Sequence, residues 1–239
     1  MRRATLNYQA DGLQMKSELF LEPSAQPKPG ILVFPEAYGL NKHALSRAEK
    51  LAGLGYAALA CDLHGQALVV NDLGVSIGML DGLYADPSKT RARAIGALRA
   101  LAERPEVDST RIGAIGFCFG GTMALELARA GADIKAVVGF HSGLATVAPK
   151  SDAKAINARI LVCIGGDDPF IPFAQRGDFE AEMRGGYVDW QMHVYGGTVH
   201  SFTNPSAANA KRPEAVRYNP DADRRSWLSM QQLFDECFV

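Results

Sequence analysis

The stretch Arg111-Ile112-Gly113-Ala114-Ile115-Gly116-Phe117-Cys118-Phe119-Gly120-Gly121 decides the fold of this chain. It reads as a short apolar strand, then Gly-x-Cys-x-Gly-Gly, then a helix predicted over about Thr122–Ala130. A sharp strand-to-helix turn strains the backbone of its middle residue, and side chains at Gly116 or Gly120 would collide with neighbouring backbone. The dipole and free N–H groups at the helix N-terminus favour a thiolate and an oxyanion beside it. We therefore predict that Cys118 is a nucleophile.

Length and composition indicate one globular domain, residues 1–239, with a sizeable core. The chain has 239 residues, of which 47% are hydrophobic and 21% charged, and its formal net charge is −1. No basic tract stands out, so we expect neither nucleic acid nor an anionic membrane as a partner. No apolar h-region follows Met1-Arg2-Arg3, and no apolar run is long enough to cross a membrane, so neither a signal peptide nor a spanning helix is predicted.

The four cysteines show no CxxC spacing. Cys61 and Cys163 lie in apolar, strand-like runs, where a buried, inert thiol is the expected state. Reduced thiols of this kind are typical of a cytoplasmic protein, and this is the predicted location.

Apolar runs alternate with segments of helical periodicity along the chain. The Asp11-Gly12 pair predicts the turn of an N-terminal antiparallel hairpin. The predicted elements are the hairpin 4–21; strands at 31–34, 56–60, 135–140, 158–164 and 187–195, besides the one before Cys118; helices at 41–54, 87–104, 173–184 and 221–237; an ambiguous stretch, 66–86; and a loop, 203–220. This alternation predicts an α/β fold with a mostly parallel sheet of about eight strands and helices on both faces.

The strand–turn–helix around Cys118 matches the nucleophile elbow of an α/β-hydrolase, with cysteine in place of serine. In that fold the nucleophile is followed along the chain by an acid and then by a histidine. The strand ending at Ile164 runs into Gly165-Gly166-Asp167-Asp168-Pro169, and the strand 187–195 is followed by His200. Sites in open α/β sheets gather at such carboxyl ends of strands. From the residues alone, either Asp167 or Asp168 is the acid.

These positions predict acyl-transfer chemistry. Cys118 attacks a carbonyl as the thiolate, His200 transfers protons, and the aspartate orients the imidazole ring. The backbone N–H of Phe119 is one predicted oxyanion donor, and Ala37, in the loop after the first long strand, supplies the second.

The chain here resembles the dienelactone hydrolases over about residues 10–238. The stretches that carry the resemblance are Phe34-Pro35-Glu36-Ala37-Tyr38-Gly39-Leu40-Asn41, Cys61-Asp62-Leu63, Gly116-Phe117-Cys118-Phe119-Gly120-Gly121, Gly165-Gly166-Asp167-Asp168-Pro169-Phe170-Ile171-Pro172 and Gly197-Thr198-Val199-His200-Ser201-Phe202. The resemblance implies a Cys-His-Asp triad that hydrolyses small esters or lactones through an acyl-thioester. It also implies that Asp168 is the acid and that Glu36 contacts the thiol and helps to form the thiolate.

The sequence departs from this family at the substrate-binding arginines. Members that hydrolyse dienelactone hold the substrate carboxylate with two arginines, one of them two residues after the His-Ser-Phe stretch, where this chain has Asn204. The other lies between the second strand and the elbow, and residues 65–90 contain no arginine. The sequence leaves open whether another arginine takes this role; the candidates are Arg91, Arg93, Arg212 and Arg217.

For other residues, the sequence gives weaker evidence of a role in the site. Candidates for lining the pocket are His64, His141, Phe170, Phe202 and Asn204, whereas His43 and His193 are predicted to be structural. The histidines lack metal-ligand spacing, and the glycine-rich stretches lack the P-loop lysine and the full dinucleotide pattern, so no metal and no cofactor are expected. Two alternatives remain: a non-catalytic member of the same fold that binds a ligand or partner in the cleft, and a thiol-based redox protein that uses Cys118.

Overall fold

The computed structural model describes residues 1–238, apart from the side chains of Leu73 and Lys150; Val239 lies outside the described residues. The strands are β1 Arg2–Ala10, β2 Leu13–Leu21, β3 Lys28–Phe34, β4 Ala57–Ala60, β5 Val107–Phe117, β6 Ala136–Phe140, β7 Arg159–Gly165 and β8 Trp190–Tyr195. The helices are α1 Lys42–Gly53, α2 Leu73–Ala85, α3 Pro87–Ala102, α4 Phe119–Arg129, α5 Pro149–Ala155, α6 Phe173–Gly185 and α7 Pro220–Cys237, with a 3₁₀ turn at Pro205–Asn209. Among these described helices none is both long and apolar enough to span a membrane.

The strands form one sheet in the order β1-β2-β4-β3-β5-β6-β7-β8. The β1–β2 hairpin is antiparallel and turns at Asp11 and Gly12, both with positive φ (51° and 70°), as a tight hairpin turn requires. β2 pairs antiparallel with β4, and every pairing from β4 to β8 is parallel. The predicted fold class, an α/β-hydrolase fold with an N-terminal hairpin, is therefore confirmed.

The central strands are buried on both faces, which explains their continuous apolar sequences. In β3, Leu32 and Phe34 join the core beneath α3, α4 and α6, whereas Ile31 and Val33 join the core beneath α1 and α7. Helices cover both faces of the sheet, and the parallel strands bring their carboxyl ends to a single edge.

The structure differs from the predicted elements mainly in the helices. The ambiguous stretch 66–86 contains α2, and a short helix, α5, occupies a segment with no predicted element. α4 begins at Phe119, directly after Cys118 and three residues before the predicted start, because the glycines at its N-terminus are helical here. The loop predicted at 203–220 contains the 3₁₀ turn Pro205–Asn209.

Candidate active site

The turn between β5 and α4 holds Cys118 in a strained backbone conformation. Its φ is 54° and its ψ is −122°, values that L-residues rarely adopt. A Cβ atom at Gly116 would lie 2.0 Å from the carbonyl oxygen of Gly120, and one at Gly120 would lie 2.3 Å from that of Phe34. Both positions therefore admit only glycine, and their close packing fixes the turn that presents the thiol.

His200 and Asp168 come together from the loops after β8 and β7. His200 Nδ1 and Asp168 Oδ2 are 2.8 Å apart, and both residues are buried. The other carboxylate oxygen, Oδ1, accepts the backbone N–H of Phe170 at 2.9 Å. Asp167 is exposed, and its backbone N–H donates to the carbonyl of Thr198. The geometry therefore favours Asp168 as the partner of the histidine.

The charges around His200 favour its protonated form. Burial lowers the pKa of His200, but the charge of the Cys118 thiolate and the hydrogen bond to Asp168 outweigh burial and raise it to about 10. The ring of Phe170 contacts His200 edge-on, with centroids 5.1 Å apart. This environment suits a thiolate–imidazolium pair in which Asp168 fixes the ring and holds the proton on Nδ1.

Replacing each aspartate separately tests this assignment. We expect Asp168→Asn to lower kcat by about 10³- to 10⁴-fold, because the amide favours the wrong tautomer of the imidazole. Asp167→Asn is the matched control, and its kcat should stay within about threefold of wild type since the side chain is exposed. Steady-state kinetics on an activated ester measure kcat for both variants. The reverse ranking would move the orienting role to Asp167.

The predicted oxyanion donors lie in the turns that follow β3 and β5. Among the described residues, neither the Ala37 nor the Phe119 backbone N–H has a hydrogen-bond acceptor. For Phe119 this is usual, because it is the first residue of a helix. The carbonyl of Ala37 accepts a hydrogen bond from His64 Nε2 at 2.7 Å, which fixes the orientation of that loop. Burial lowers the pKa of His64, so the ring is a neutral donor there.

Glu36 is a buried carboxylate at the end of β3. Its Oε2 accepts from Asn204 Nδ2 at 2.6 Å, and its Oε1 accepts from the Ser201 hydroxyl at 3.2 Å. Burial raises the pKa of Glu36, but the neighbouring His43 and the Asn204 amide have the larger combined effect and lower it below the usual range. Glu36 is thus charged and tied to the loop that carries His200; a contact with the thiol stays a prediction.

His43 belongs to the same cluster. Its Nε2 lies 3.1 Å from the carbonyl oxygen of Thr203 and 3.2 Å from Arg47 Nε, and its Nδ1 lies 3.4 Å from Glu36 Oε2. The sequence predicts a structural role for His43, and these contacts place its ring between Glu36 and the loop that carries His200.

The predicted pocket residues differ in their accessibility. Phe170 is 51% exposed, and Asn204 is half-buried beside Glu36. His64 is largely buried, and its ring contacts the carbonyl of Ala37, whereas His141 and Phe202 have no exposed surface and pack against each other beside His200.

Two tyrosines near Cys118 were missed from the sequence. The ring of Tyr84 on α2 contacts Phe119 edge-on at 5.0 Å. Burial and then the Cys118 charge raise the pKa of Tyr84 to about 12, and burial, Glu36 and Cys118 raise the pKa of Tyr38. Both phenols remain protonated donors at neutral pH. Tyr38 lies two residues after Glu36 in the family-like stretch, a signal that could have identified it, whereas Tyr84 lies in 66–86, where the sequence shows no clear helical period.

The four arginines considered as a carboxylate clamp all bind other groups of the protein. The contacts are Arg91 with Glu126 and Asp152, Arg93 with Asp11 and the carbonyl of Leu63, Arg212 with Glu214, and Arg217 with the carbonyls of Pro213 and Gly197. Within residues 1–238, no group of three or more His, Cys, Asp or Glu side chains is arranged to hold a metal ion.

Comparison with known proteins agrees with this geometry. The sequence model of the dienelactone hydrolase family matches residues 17–238. The chain belongs to the dienelactone hydrolase family. A solved structure called m3DLH is 45% identical, with a TM-score of 0.95, and the match covers 100% of this chain and 99% of that one. As a dienelactone hydrolase family member with such relatives, the protein is a hydrolase of the ester-hydrolysing type.

Two further relatives differ in what their names say. The dienelactone hydrolase-like promiscuous phosphotriesterase P91, from metagenomic libraries, is 42% identical with a TM-score of 0.93, over 99% of this chain and 98% of its own. A Bradyrhizobium protein named "Probable 2-oxo-3-(5-oxofuran-2-ylidene)propanoate lactonase" is 29% identical over 198 residues, which are 79% of each chain. The family thus includes relatives named for lactones and for phosphotriesters.

Proposed function

We propose that this dienelactone hydrolase family member hydrolyses small, uncharged esters or lactones with Cys118 as its nucleophile. The observation that carries the proposal is the convergence of the strained elbow with the 2.8 Å His200–Asp168 pair at one edge of the sheet. The elevated pKa of His200 beside Cys118 adds to it. We also propose the cytoplasm as its location, since all four cysteines are free thiols.

The proposed reaction has two halves. The Cys118 thiolate attacks the ester carbonyl, the Ala37 and Phe119 N–H groups stabilise the oxyanion, and the His200 imidazolium gives its proton to the departing alkoxide. The resulting acyl-thioester is attacked by a water whose proton passes to His200, and expulsion of the Cys118 thiolate releases the acid. Asp168 keeps the imidazole oriented throughout, and Glu36 supports thiolate formation from the loop beside it.

The proposed preference for an uncharged substrate follows from the charged groups around the site. The four candidate arginines are engaged elsewhere, and the position two residues after the His-Ser-Phe stretch carries the neutral amide of Asn204. Asn204 donates to the anionic Glu36, so the nearest buried charge at this side of the site is negative. A substrate carboxylate placed there would be repelled by Glu36, and that repulsion is strong where water is excluded.

A matched pair of substrates tests both parts of the proposal. We expect a neutral nitrophenyl ester, or a neutral unsaturated lactone, to have a kcat/KM at least about tenfold above its carboxylate-bearing analogue. A preference for the carboxylate would show that an arginine clamp forms on binding. No turnover on the whole panel, combined with ligand-induced thermal stabilisation, would instead support the non-catalytic alternative. Sustained peroxide consumption with a thiol reductant would support the redox alternative.

A second candidate activity is hydrolysis of neutral phosphotriesters. P91 is described as a promiscuous phosphotriesterase and matches this chain over nearly its whole length. A phosphotriester is also uncharged, so it meets the same requirement of a site without a cationic clamp. A nitrophenyl dialkyl phosphate included in the panel tests this candidate, and absence of nitrophenol release at high enzyme concentration would exclude it.

A further inference from the structure

His141 lies directly after β6 and packs beneath the nucleophile. The Cys118 backbone N–H that donates to the Phe140 carbonyl at 3.0 Å also lies 3.1 Å from His141 Nδ1. His141 is fully buried, and its own φ is 42°, in the same rarely populated region as that of Cys118. Two strained residues on neighbouring strands are therefore linked through one N–H group.

The contacts of the His141 ring assign its proton. An amide N–H only donates, so Nδ1 is the acceptor and carries no proton. Nε2 therefore carries it and donates to the Thr203 hydroxyl at 2.8 Å. In the neutral imidazole, both ring nitrogens therefore have a hydrogen-bond partner. A second proton would turn Nδ1 from an acceptor into a donor, and its N–H would then face the N–H of Cys118.

Thr203 connects this ring to the loop of the catalytic histidine. It follows His200 by three residues, and its backbone carbonyl accepts a hydrogen bond from Arg47 Nη2. The ring of His141 also contacts that of His200 edge-on, with centroids 5.0 Å apart. Thr203 is therefore held from two sides, by His141 through its hydroxyl and by Arg47 through its carbonyl.

We infer that His141 is a positioning residue that joins the backbone of the nucleophile to the loop carrying His200. The neutral ring acts as a spacer: Nδ1 accepts from the Cys118 N–H, and Nε2 donates to the Thr203 hydroxyl. The ring thereby sets the distance between the elbow and that loop. The inference rests on the proposed function, because the distance matters only if Cys118 and His200 react together.

The charges that face His141 keep it neutral. The titratable and charged groups that face it are His200 on the loop after β8, Glu36 on the loop after β3, and His43 and Arg47 on α1. Burial and then the positive charge of His200 lower the pKa of His141 well below its ordinary value, against the opposing effect of Glu36. Of these two neighbouring rings, His200 is therefore the one that carries the positive charge at neutral pH.

Two substitutions at His141 separate positioning from packing. His141→Phe keeps the ring volume and removes both hydrogen bonds, whereas His141→Asn leaves a cavity but keeps an acceptor near the Nδ1 position. A packing role predicts that Phe is the better replacement. Positioning predicts the opposite order: kcat about 100-fold lower for Phe and about tenfold lower for Asn, with KM within threefold of wild type.

Thr203→Val tests the other end of the spacer without altering His141. It keeps the side-chain shape, removes the acceptor of the Nε2 proton, and should lower kcat by about tenfold with KM unchanged. His193→Asn is the matched control, because His193 on β8 bonds only the Ser229 hydroxyl among the described residues, and its kcat should equal that of wild type.

A second readout does not depend on turnover. The rate at which iodoacetamide alkylates Cys118, followed by mass spectrometry of its peptide, should fall in the order wild type, Asn, Phe, while the melting temperature reports folding. The inference would be overturned if kcat and the alkylation rate of His141→Phe equal those of wild type, or exceed those of His141→Asn. A wild-type kcat for Thr203→Val would also overturn it. If alkylation leaves wild-type turnover intact, the proposed nucleophile fails instead, and the two failures are distinct.

Discussion

Cys118→Ala is expected to lower ester turnover by about 10⁴-fold or more, because it removes the atom that forms the bond to the substrate. The fold should survive the change. Alanine keeps the Cβ atom and the same strained backbone, and the thiol occupies a half-buried position rather than the core. We expect the melting temperature to stay within about 2 °C of wild type, which differential scanning fluorimetry measures.

The matched control for this prediction is Cys237→Ala. Cys237 is a free, half-buried thiol at the end of α7, away from the carboxyl edge of the sheet, and turnover should not change. Rapid quenching with a slow ester should also leave an acyl adduct on the Cys118 peptide of the wild-type protein. A Cys118→Ala protein with more than a tenth of the wild-type rate would mean that another group performs the attack.

Gly116→Ala is expected to be the most destabilising single change at the elbow. The new Cβ would lie 2.0 Å from the carbonyl oxygen of Gly120 and 2.5 Å from the backbone nitrogen of Gly121. Both atoms belong to the first turn of α4, so the helix must move away from β5 and take the Phe119 N–H with it. We expect the free energy of unfolding to fall by about 4 kcal/mol or more, and residual kcat to fall by at least about 100-fold.

Gly177→Ala provides the comparison, since it makes the same chemical change where space is open. Gly177 lies within α6, is exposed, and a Cβ there has no neighbour within 4 Å. Helix propensity then predicts that the free energy of unfolding rises by up to about 1 kcal/mol. Urea unfolding curves for the two variants measure both effects. Equal stability for Gly116→Ala and wild type would mean that the elbow relaxes without cost.

The features that could be predicted from the sequence are those with a local cause. The glycines around Cys118 indicate a tight turn by themselves, and continuous apolar runs indicate the strands buried on both faces. α2 could not be predicted in this way. It is apolar nearly all round and carries glycines at Gly74, Gly78 and Gly82, so no polar stripe reveals a helical period.

The arrangement around Cys118 depends on contacts that sequence spacing does not encode. His43 comes from α1 and reaches Glu36 only because that helix packs across the end of β3. The tautomer of His141 follows from a backbone N–H on a neighbouring strand. The choice between Asp167 and Asp168 likewise depended on which carboxylate the loop buries. Residue types in these loops indicate chemistry, but their partners emerge only from the tertiary fold.

The position of β8 has a consequence for heat inactivation. In the described sheet β8 is one of the two edge strands and pairs only with β7, yet the loop that follows it carries His200 and Asn204. Edge strands open locally at a lower free energy than central ones. We expect fraying of this one strand to displace His200 while the central strands stay intact. We therefore expect heating to abolish activity at a lower temperature than secondary structure, and activity to return on cooling without a refolding lag, which parallel assays of turnover and circular dichroism would measure.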